Sequence, residues 1–562
     1  MRRAVRMVGS IIMGCLMAGC GRRPSVPDAS PPRPPVAANA SQPAARVSRD
    51  KLLESALAVL DRLDDFDEAR GAELVFDRIN QWARLLPAGA ADDWRPDPLV
   101  DALPERLREP LARIAPDAAS FSAAGDVLYL RDQRWLADIA RIARGEARDD
   151  LEVARALFAW TVRSLALVGD PPMAPTESNP GTRWYQPGEI LLAGRASGPQ
   201  RSWVFLQLAR HAGLDAVLLA TGDAADGTLR GWVPAIVSAG ELHLFDPVYA
   251  MPIPGPGGEG VATLREAVAD PGVLGALSLP DRPYPVTADD LARLTVLVAA
   301  DPWALSRRMA LLDPEVRGAR EMRVAVEPSR VGALAVAAVE QAGVTAAPPR
   351  LWDFPWETIA RRRSDPRVGE AVGRELAPLQ VPFVPRRGSA QPELLRPLLA
   401  GRLREFRGEW DGPQGAKAAY LEARASRAAV ATAVAQIPAE QAEPARALFG
   451  RMKEDAAYWL GILTLAEGEY ETAIDYLGRM TVEGAPDSRW TDAARTNLAQ
   501  ALIAVGRTDD AVVALRADLS PQRFGSRVLA DRLAAPTGRS KPPAGGAADD
   551  VGPQSDAPAP PR

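Results

Sequence analysis

Apolar residues recur at helical spacing through the first foldable stretch. Arg49 to Asp64 places Leu52, Leu53, Ala56, Leu57, Leu60 and Leu63 on one face, and Glu68 to Leu86 repeats the pattern with Leu74, Val75, Ile79 and Trp82. Pro98 to Ile114 predicts a weaker helix interrupted by Pro104, and the short apolar run Val127 to Leu130 reads as a strand. Arg131 to Arg144 and Asp149 to Leu165 are helical again. The second of these opens with acids and carries Leu151, Ala154, Leu157, Phe158 and Val162 on one side.

The pattern then changes. A helix-like run ends at Gly213, and strand-like runs follow at Ala216 to Ala220, at Trp232 to Val237, and up to Asp246-Pro247. Met251 to Gly260 (MPIPGPGGEG) predicts a rigid, extended loop. It lacks the glycine spacing and the following helix that a phosphate loop needs. Beyond it, Thr263 to Leu279 and Ala288 to Leu294 read as helical. A β-α-β-α-β order follows: Leu294 to Ala299, Pro302 to Leu312, Arg320 to Val326, Ser329 to Ala342 and Arg350 to Trp352. This predicts a small α/β module over 291–377, with a linker from Pro378 to Pro392.

Near the C-terminus, Asp455 to Leu477 and Asp492 to Leu515 superpose. Leu460 matches Leu498, Gly468 matches Gly506 and Ala473 matches Ala511, at a constant shift of 38 residues. Leu399 to Glu422 looks like a degenerate earlier copy. Paired helices around a glycine turn closely resemble the tetratricopeptide repeat, whose usual period is about 34 residues. Leu460, Gly461, Gly468, Tyr470, Ala473, Leu498, Ala499, Gly506 and Ala511 stand at its consensus positions. The resemblance implies a helical array over 393–520 with a groove for a protein or peptide partner.

Composition narrows the chemistry. The chain has 562 residues, 52 of them proline, and a net charge of −5, which gives no general pull toward nucleic acid. Lys appears only at 51, 417, 453 and 541, and the many Arg are interspersed with acids. Both cysteines, Cys15 and Cys20, lie in the first twenty residues, so no disulfide framework or thiol nucleophile is expected beyond them. With only His211 and His243, a multi-histidine metal centre is not expected, nor is any cofactor.

Arg2, Arg3 and Arg6 precede an apolar run from Met7 to Gly19, too short to span a bilayer. Leu16-Met17-Ala18-Gly19-Cys20 resembles a bacterial lipobox, with Met17 where Leu is usual; Cys15 is a second choice. A plain secretory signal is the alternative. The lipobox resemblance implies a signal peptide over 1–19 and a lipid on Cys20. With Gly21 next, it also implies an outer-membrane anchor facing the periplasm. Residues 20–46 are a Pro/Ala-rich tether, and 535–562 a tail too polar and Pro-rich to fold.

The stretch Gly198 to Ala250 resembles the core of the transglutaminase-like, papain-like family. Ser202-Trp203-Val204-Phe205 stands where that family has its Cys helix, Arg230-Gly231-Trp232 where it has its His strand, and Phe245-Asp246-Pro247 where it keeps its Asp. The chain thus aligns Ser202, Arg230 and Asp246 with a Cys-His-Asp triad. A serine hydroxyl needs a neighbouring base, and guanidinium cannot accept its proton. His243, three residues before Asp246 on a strand, and His211, nine residues after Ser202 on a helix, are poorly placed to replace it. Alternatives open at this stage are a helix N-cap role for Ser202, a turn role for Asp246, and an Arg230–Asp246 ion pair.

The expected class is therefore α+β: a helical region over 47–145, a transglutaminase-like domain over 146–290, the α/β module and the helical array. The expected function is a lipid-anchored periplasmic adaptor with a lapsed enzyme domain. Its repeats would take a protein or peptide, and its cleft is a candidate for a cell-wall stem peptide. The alternative is an envelope amide hydrolase with Ser202 as nucleophile.

Overall fold

A computed structural model describes residues 42–535 apart from 64–67, 88, 91, 115, 123–124, 171–183, 223–226 and 383–395. The signal segment with Cys20, most of the tether, much of the 378–392 linker and nearly all of the tail lie outside these residues. The protein is α+β.

Five helices open the fold: α1 (Gln42–Leu60), α2 (Glu68–Arg84), α3 (Glu105–Ile114), α4 (Asp126–Arg144) and α5 (Asp150–Ser164). The helix α1 starts five residues (42–46) inside the stretch expected to be tether. Pro43 sits in its first turn, where a missing N–H costs no helical bond. Val127 to Leu130, expected as a strand, forms the first turn of α4: Val127 and Leu130 bury one face of that helix together with Ala137, while Leu136 and Ile139 bury the other.

The central unit follows with β1 (Ala166–Leu167), α6 (Pro187–Ala193), β2 (Arg195–Ala196), α7 (Gly198–His211), β3 (Asp215–Thr221), β4 (Arg230–Ser238), β5 (Glu241–Asp246) and β6 (Met251–Pro252). Two short helices, α8 (Leu264–Ala269) and α9 (Pro271–Gly275), replace the single one expected at Thr263 to Leu279, split at Asp270-Pro271. Next come β7 (Arg293–Val298), α10 (Arg307–Arg320), α11 (Pro328–Gln341) and β8 (Thr345–Leu351).

The strands form one six-stranded sheet in the order β6-β5-β4-β3-β7-β8, antiparallel except for the parallel β7–β8 pair. The two strands of the expected α/β module therefore extend the same sheet and do not build one of their own. The third strand expected there, Arg320 to Val326, joins no ladder. Its amides are taken by other partners: Arg323 N–H donates to His211 Nδ1, Val324 and Ala325 N–H to Asp313 Oδ1, and Val326 N–H to the Ala304 carbonyl.

Alternation at period two gives the sheet two buried faces. Leu218, Ala220, Ile236, Phe245 and Leu297 face α5 and α7. Val217, Leu219, Ala235, Leu244, Val296 and Val298 face α11 through Val331, Ala335 and Val339. On the α7 side, Phe158, Phe205 and Phe245 meet with centroids 5.2–5.3 Å apart.

The chain continues through α12 (Asp353–Ser364), α13 (Pro366–Leu376), α14 (Pro397–Arg407), α15 (Ala416–Ala423), α16 (Arg427–Val434) and α17 (Ala439–Ala466). It ends in α18 (Tyr470–Ile474), a π-type turn over Asp475–Glu483, α19 (Thr491–Ala504), α20 (Thr508–Arg516) and α21 (Arg523–Ala534). Gly468 and Gly506 both adopt φ +79°, ending α17 and α19 alike, and Ala473 and Ala511 are fully buried. Hairpin geometry thus repeats at the 38-residue shift read in the sequence. These hairpins share the core of the sheet domain: Tyr458, Trp459 and Trp490 belong to the same apolar cluster as Trp203 and Phe205. Trp459 presses on Gly194, the left-handed C-cap of α6, where a Cβ would lie 2.0 Å from its ring. Among the described residues no helix is long and apolar enough to cross a membrane.

Candidate functional site

The helix α7 begins with a capping box. The Ser197 hydroxyl accepts the Gln200 N–H, and the Gln200 side chain accepts the Ser197 N–H. Ser197, not Ser202, is the N-cap. This places Ser202 in the second turn, 3 % exposed, with its hydroxyl donating to the Gly198 carbonyl at 3.0 Å. Neither histidine reaches it. His211 is buried at the far end of α7. Its Nδ1 accepts the Arg323 N–H at 3.1 Å, so Nε2 carries the proton and donates to Gln133. Burial, with Arg210, Arg323 and Arg134 around it, holds its pKa well below the ordinary histidine value. His243 lies mid-strand opposite Ile236.

Arg230 starts β4 as an exposed residue opposite Thr221 and makes no ion pair with Asp246. Asp246 ends β5 and is buried. One carboxylate oxygen accepts the amides of Val248 and Tyr249 at 2.8 and 2.9 Å; the other accepts the Tyr284 hydroxyl at 2.7 Å. Tyr284 in turn accepts the Trp232 indole N–H at 3.0 Å. Burial raises the Asp246 pKa, and its amide and hydroxyl donors and Arg201 pull it back down. The three aligned positions are thus not assembled as a triad, and the carboxylate organises a turn.

The cation beside Asp246 is Arg201, which sequence reasoning missed. It is 1 % exposed and feeds four oxygens: Nε to the Leu165 carbonyl, Nη1 to the Pro247 carbonyl and Gln522 Oε1, each at 2.8 Å, and Nη2 to the Val162 carbonyl at 3.3 Å. Burial lowers its pKa to about 9, which leaves it charged at neutral pH. Gln522 comes from the C-terminal helices, which cover this end of the sheet. A Cβ on Gly525 would lie 2.1 Å from the Tyr249 carbonyl oxygen, Asn497 donates to the Arg163 carbonyl, and Arg527 pairs with Asp281. The expected cleft is therefore filled by the protein's own C-terminal region.

One residue further along α7, Trp203 lines an open cavity of about 730 Å³ between α4, α12 and α13. Trp303 and Tyr129, stacked with centroids 6.2 Å apart, form another part of its wall. Three carboxylates (Asp132, Asp301, Glu370) and three guanidiniums (Arg308, Arg362, Arg363) line it. Most are committed within the protein. Asp132 accepts the Gly188 N–H, and Arg308 is held by Asp126 at 2.8 Å and by the Ile114 carbonyl. Asp301 differs. One oxygen accepts the amides of Trp303 and Ala304, both at 3.0 Å, and the other has no hydrogen-bond partner among the described residues. Burial raises its pKa, and the two amides and the nearby Arg210 pull it back down. Arg362 holds Glu189 through Nη2 at 2.7 Å, while its buried Nη1 is without a partner.

Comparison with known protein families, with curated proteins and with solved structures finds no match for this chain. The cavity was invisible to motif reading, because its residues come from five separated segments. The available signal was Asp301-Pro302, the same turn-forming pair as Asp246-Pro247.

Proposed function

We propose that the chain is a lipid-anchored, non-catalytic binding protein of the bacterial envelope. Its Cys20 carries the lipid in the outer membrane, and the folded part faces the periplasm. The observation that carries the non-catalytic reading is the state of Ser202: its hydroxyl is spent on the Gly198 carbonyl, no base adjoins it, and the aligned Arg230 and Asp246 stand apart. The helical hairpins, resembling tetratricopeptide repeats, take a protein partner on the side turned away from the core, where Tyr470, Val513 and Leu519 are exposed. No nucleic acid or cofactor enters this reading.

The test is cross-linking of the full-length protein in its native envelope, followed by capture and mass spectrometry, with Cys20→Ser as the anchoring control. The expected result is membrane release by Cys20→Ser and a specific partner lost when Val513 and Leu519 become Asp. Membrane retention of Cys20→Ser would refute the anchor. Cleavage of added peptides that disappears in Ser202→Ala would refute the non-catalytic reading.

A further inference from the structure

We propose that the cavity beside Trp203 binds a neutral sugar, held at the turn Asp301-Pro302-Trp303. This ligand is additional to the protein partner proposed above and does not depend on it.

The wall is poorly suited to an ion. All but two of its charges are already balanced within the fold. Asp132 pairs with Arg131 at 2.9 Å, Arg308 with Asp126 at 2.8 Å and Arg362 with Glu189 at 2.7 Å, and Arg210 lies near Asp301. The other two, Arg363 and Glu370, are exposed and of opposite sign. An ion entering here loses hydration and finds no unbalanced charge in return. A neutral ligand avoids that cost.

The turn after β7 supplies hydrogen-bonding groups of both kinds. The second oxygen of Asp301 is an acceptor, and the Trp303 indole N–H is a donor. Neither has a hydrogen-bond partner among the described residues, and neither is sealed from solvent. The indole Nε1 lies against Gly125, where a Cβ would stand 3.0 Å from it and 3.3 Å from the Ser122 hydroxyl. Gly125, Ser122, Asp301 and Trp303 all line the cavity. A hydroxyl both donates and accepts, so a polyol answers both groups without carrying charge. A purely apolar ligand would leave both unanswered.

The aromatic content separates a sugar from a simpler polyol. Trp303 is partly exposed, whereas Phe121, Tyr129 and Trp203 of the same wall are buried, so Trp303 is the ring available to a ligand. Sugar rings carry apolar C–H surface beside their hydroxyls, and the negative face of an aromatic ring attracts it. The volume of about 730 Å³ falls within the range of about 300–1,000 Å³ typical of small-ligand sites.

The probes are maltotriose and tri-N-acetylchitotriose, titrated calorimetrically into the full-length protein, with deacetylated chitotriose as a cationic control. At least one neutral sugar should bind saturably, with a Kd of about 1 mM or tighter, and the cation about tenfold or more weakly. Trp303→Phe keeps a ring beside Tyr129 and removes the N–H, so the neutral sugar should weaken about fivefold. Gly125→Ala sets a methyl group against that N–H and should weaken it similarly, with melting temperatures confirming both folds. No saturable binding of either neutral sugar, a cation bound as tightly as the better of them, or sugar affinity unaltered in either folded variant would each overturn the proposal. The comparison of neutral and cationic sugars needs no variant, so it stands even if both variants misfold.

Discussion

Two Asp-Pro turns in this protein begin identically and end differently. Asp246 and Asp301 each give one carboxylate oxygen to the amides two and three residues ahead. At Asp246 the second oxygen meets Tyr284, Arg201 lies nearby, and Gln522 of the C-terminal region closes over the site. At Asp301, where Arg210 is the nearby cation, the second oxygen has no hydrogen-bond partner among the described residues, and the residue lines a cavity. Consecutive residues of α7 serve these two regions: Arg201 seals the first, Ser202 bonds its own helix, and Trp203 walls the second. A site that resembles an enzyme by alignment is thus closed, and a site with no motif is open. Residue type at one position says little about chemistry until the second partner is known.

The closed region should be the more fragile under substitution. Arg201→Met strands four carbonyl-type oxygens, so a loss of about 3–5 kcal/mol is expected. Urea denaturation measures it, and a loss under about 1 kcal/mol would mean that the seal is not structural. Gly194→Ala tests the packing of the hairpins on α6. A left-handed backbone and a Cβ 2.0 Å from the Trp459 ring predict a cost of about 2–4 kcal/mol, read as a lower denaturation midpoint.

The pH response sharpens the contrast at the far end of α7. The His211 pKa is depressed in the fold, so the unfolded chain binds its proton first. Stability from this group is intact above the unfolded value of about 6.5 and falls by up to about 1.4 kcal/mol per pH unit below it. His211→Gln should flatten that slope between neutrality and mild acid; an unchanged slope assigns the loss to other groups. The smallest effect belongs to the residue that alignment singles out. Ser202→Ala removes one bond to its own helix and should cost no more than about 1 kcal/mol, with ligand binding unaltered. A large loss of function there would reverse the comparison.

Much of the fold was legible. The α7 helix and the meander β3–β5 lie close to where alternation and glycine placed them, and the hairpins repeat at the predicted 38-residue shift. The strand expected at Arg320 to Val326 failed because side chains of Asp313 and His211 took the amides a neighbouring strand would need. The expected separate α/β module failed because β7 pairs with β3, a choice that alternation cannot express. At the site, the turn role of Asp246 was readable, whereas Arg201 and the cavity were not.

What the sequence determined by itself acts within about one helical turn. Five Asp-Pro steps, at Asp97, Asp246, Asp270, Asp301 and Asp365, each accept the amide two residues on. Glycine turns and the Ser197 cap are equally local. Only the tertiary structure decided what each carboxylate does next, since Tyr284 reaches Asp246 across 38 residues and Gln522 reaches Arg201 across 321. A local turn orients one oxygen through its own backbone; the other is left to whatever the folded chain brings beside it.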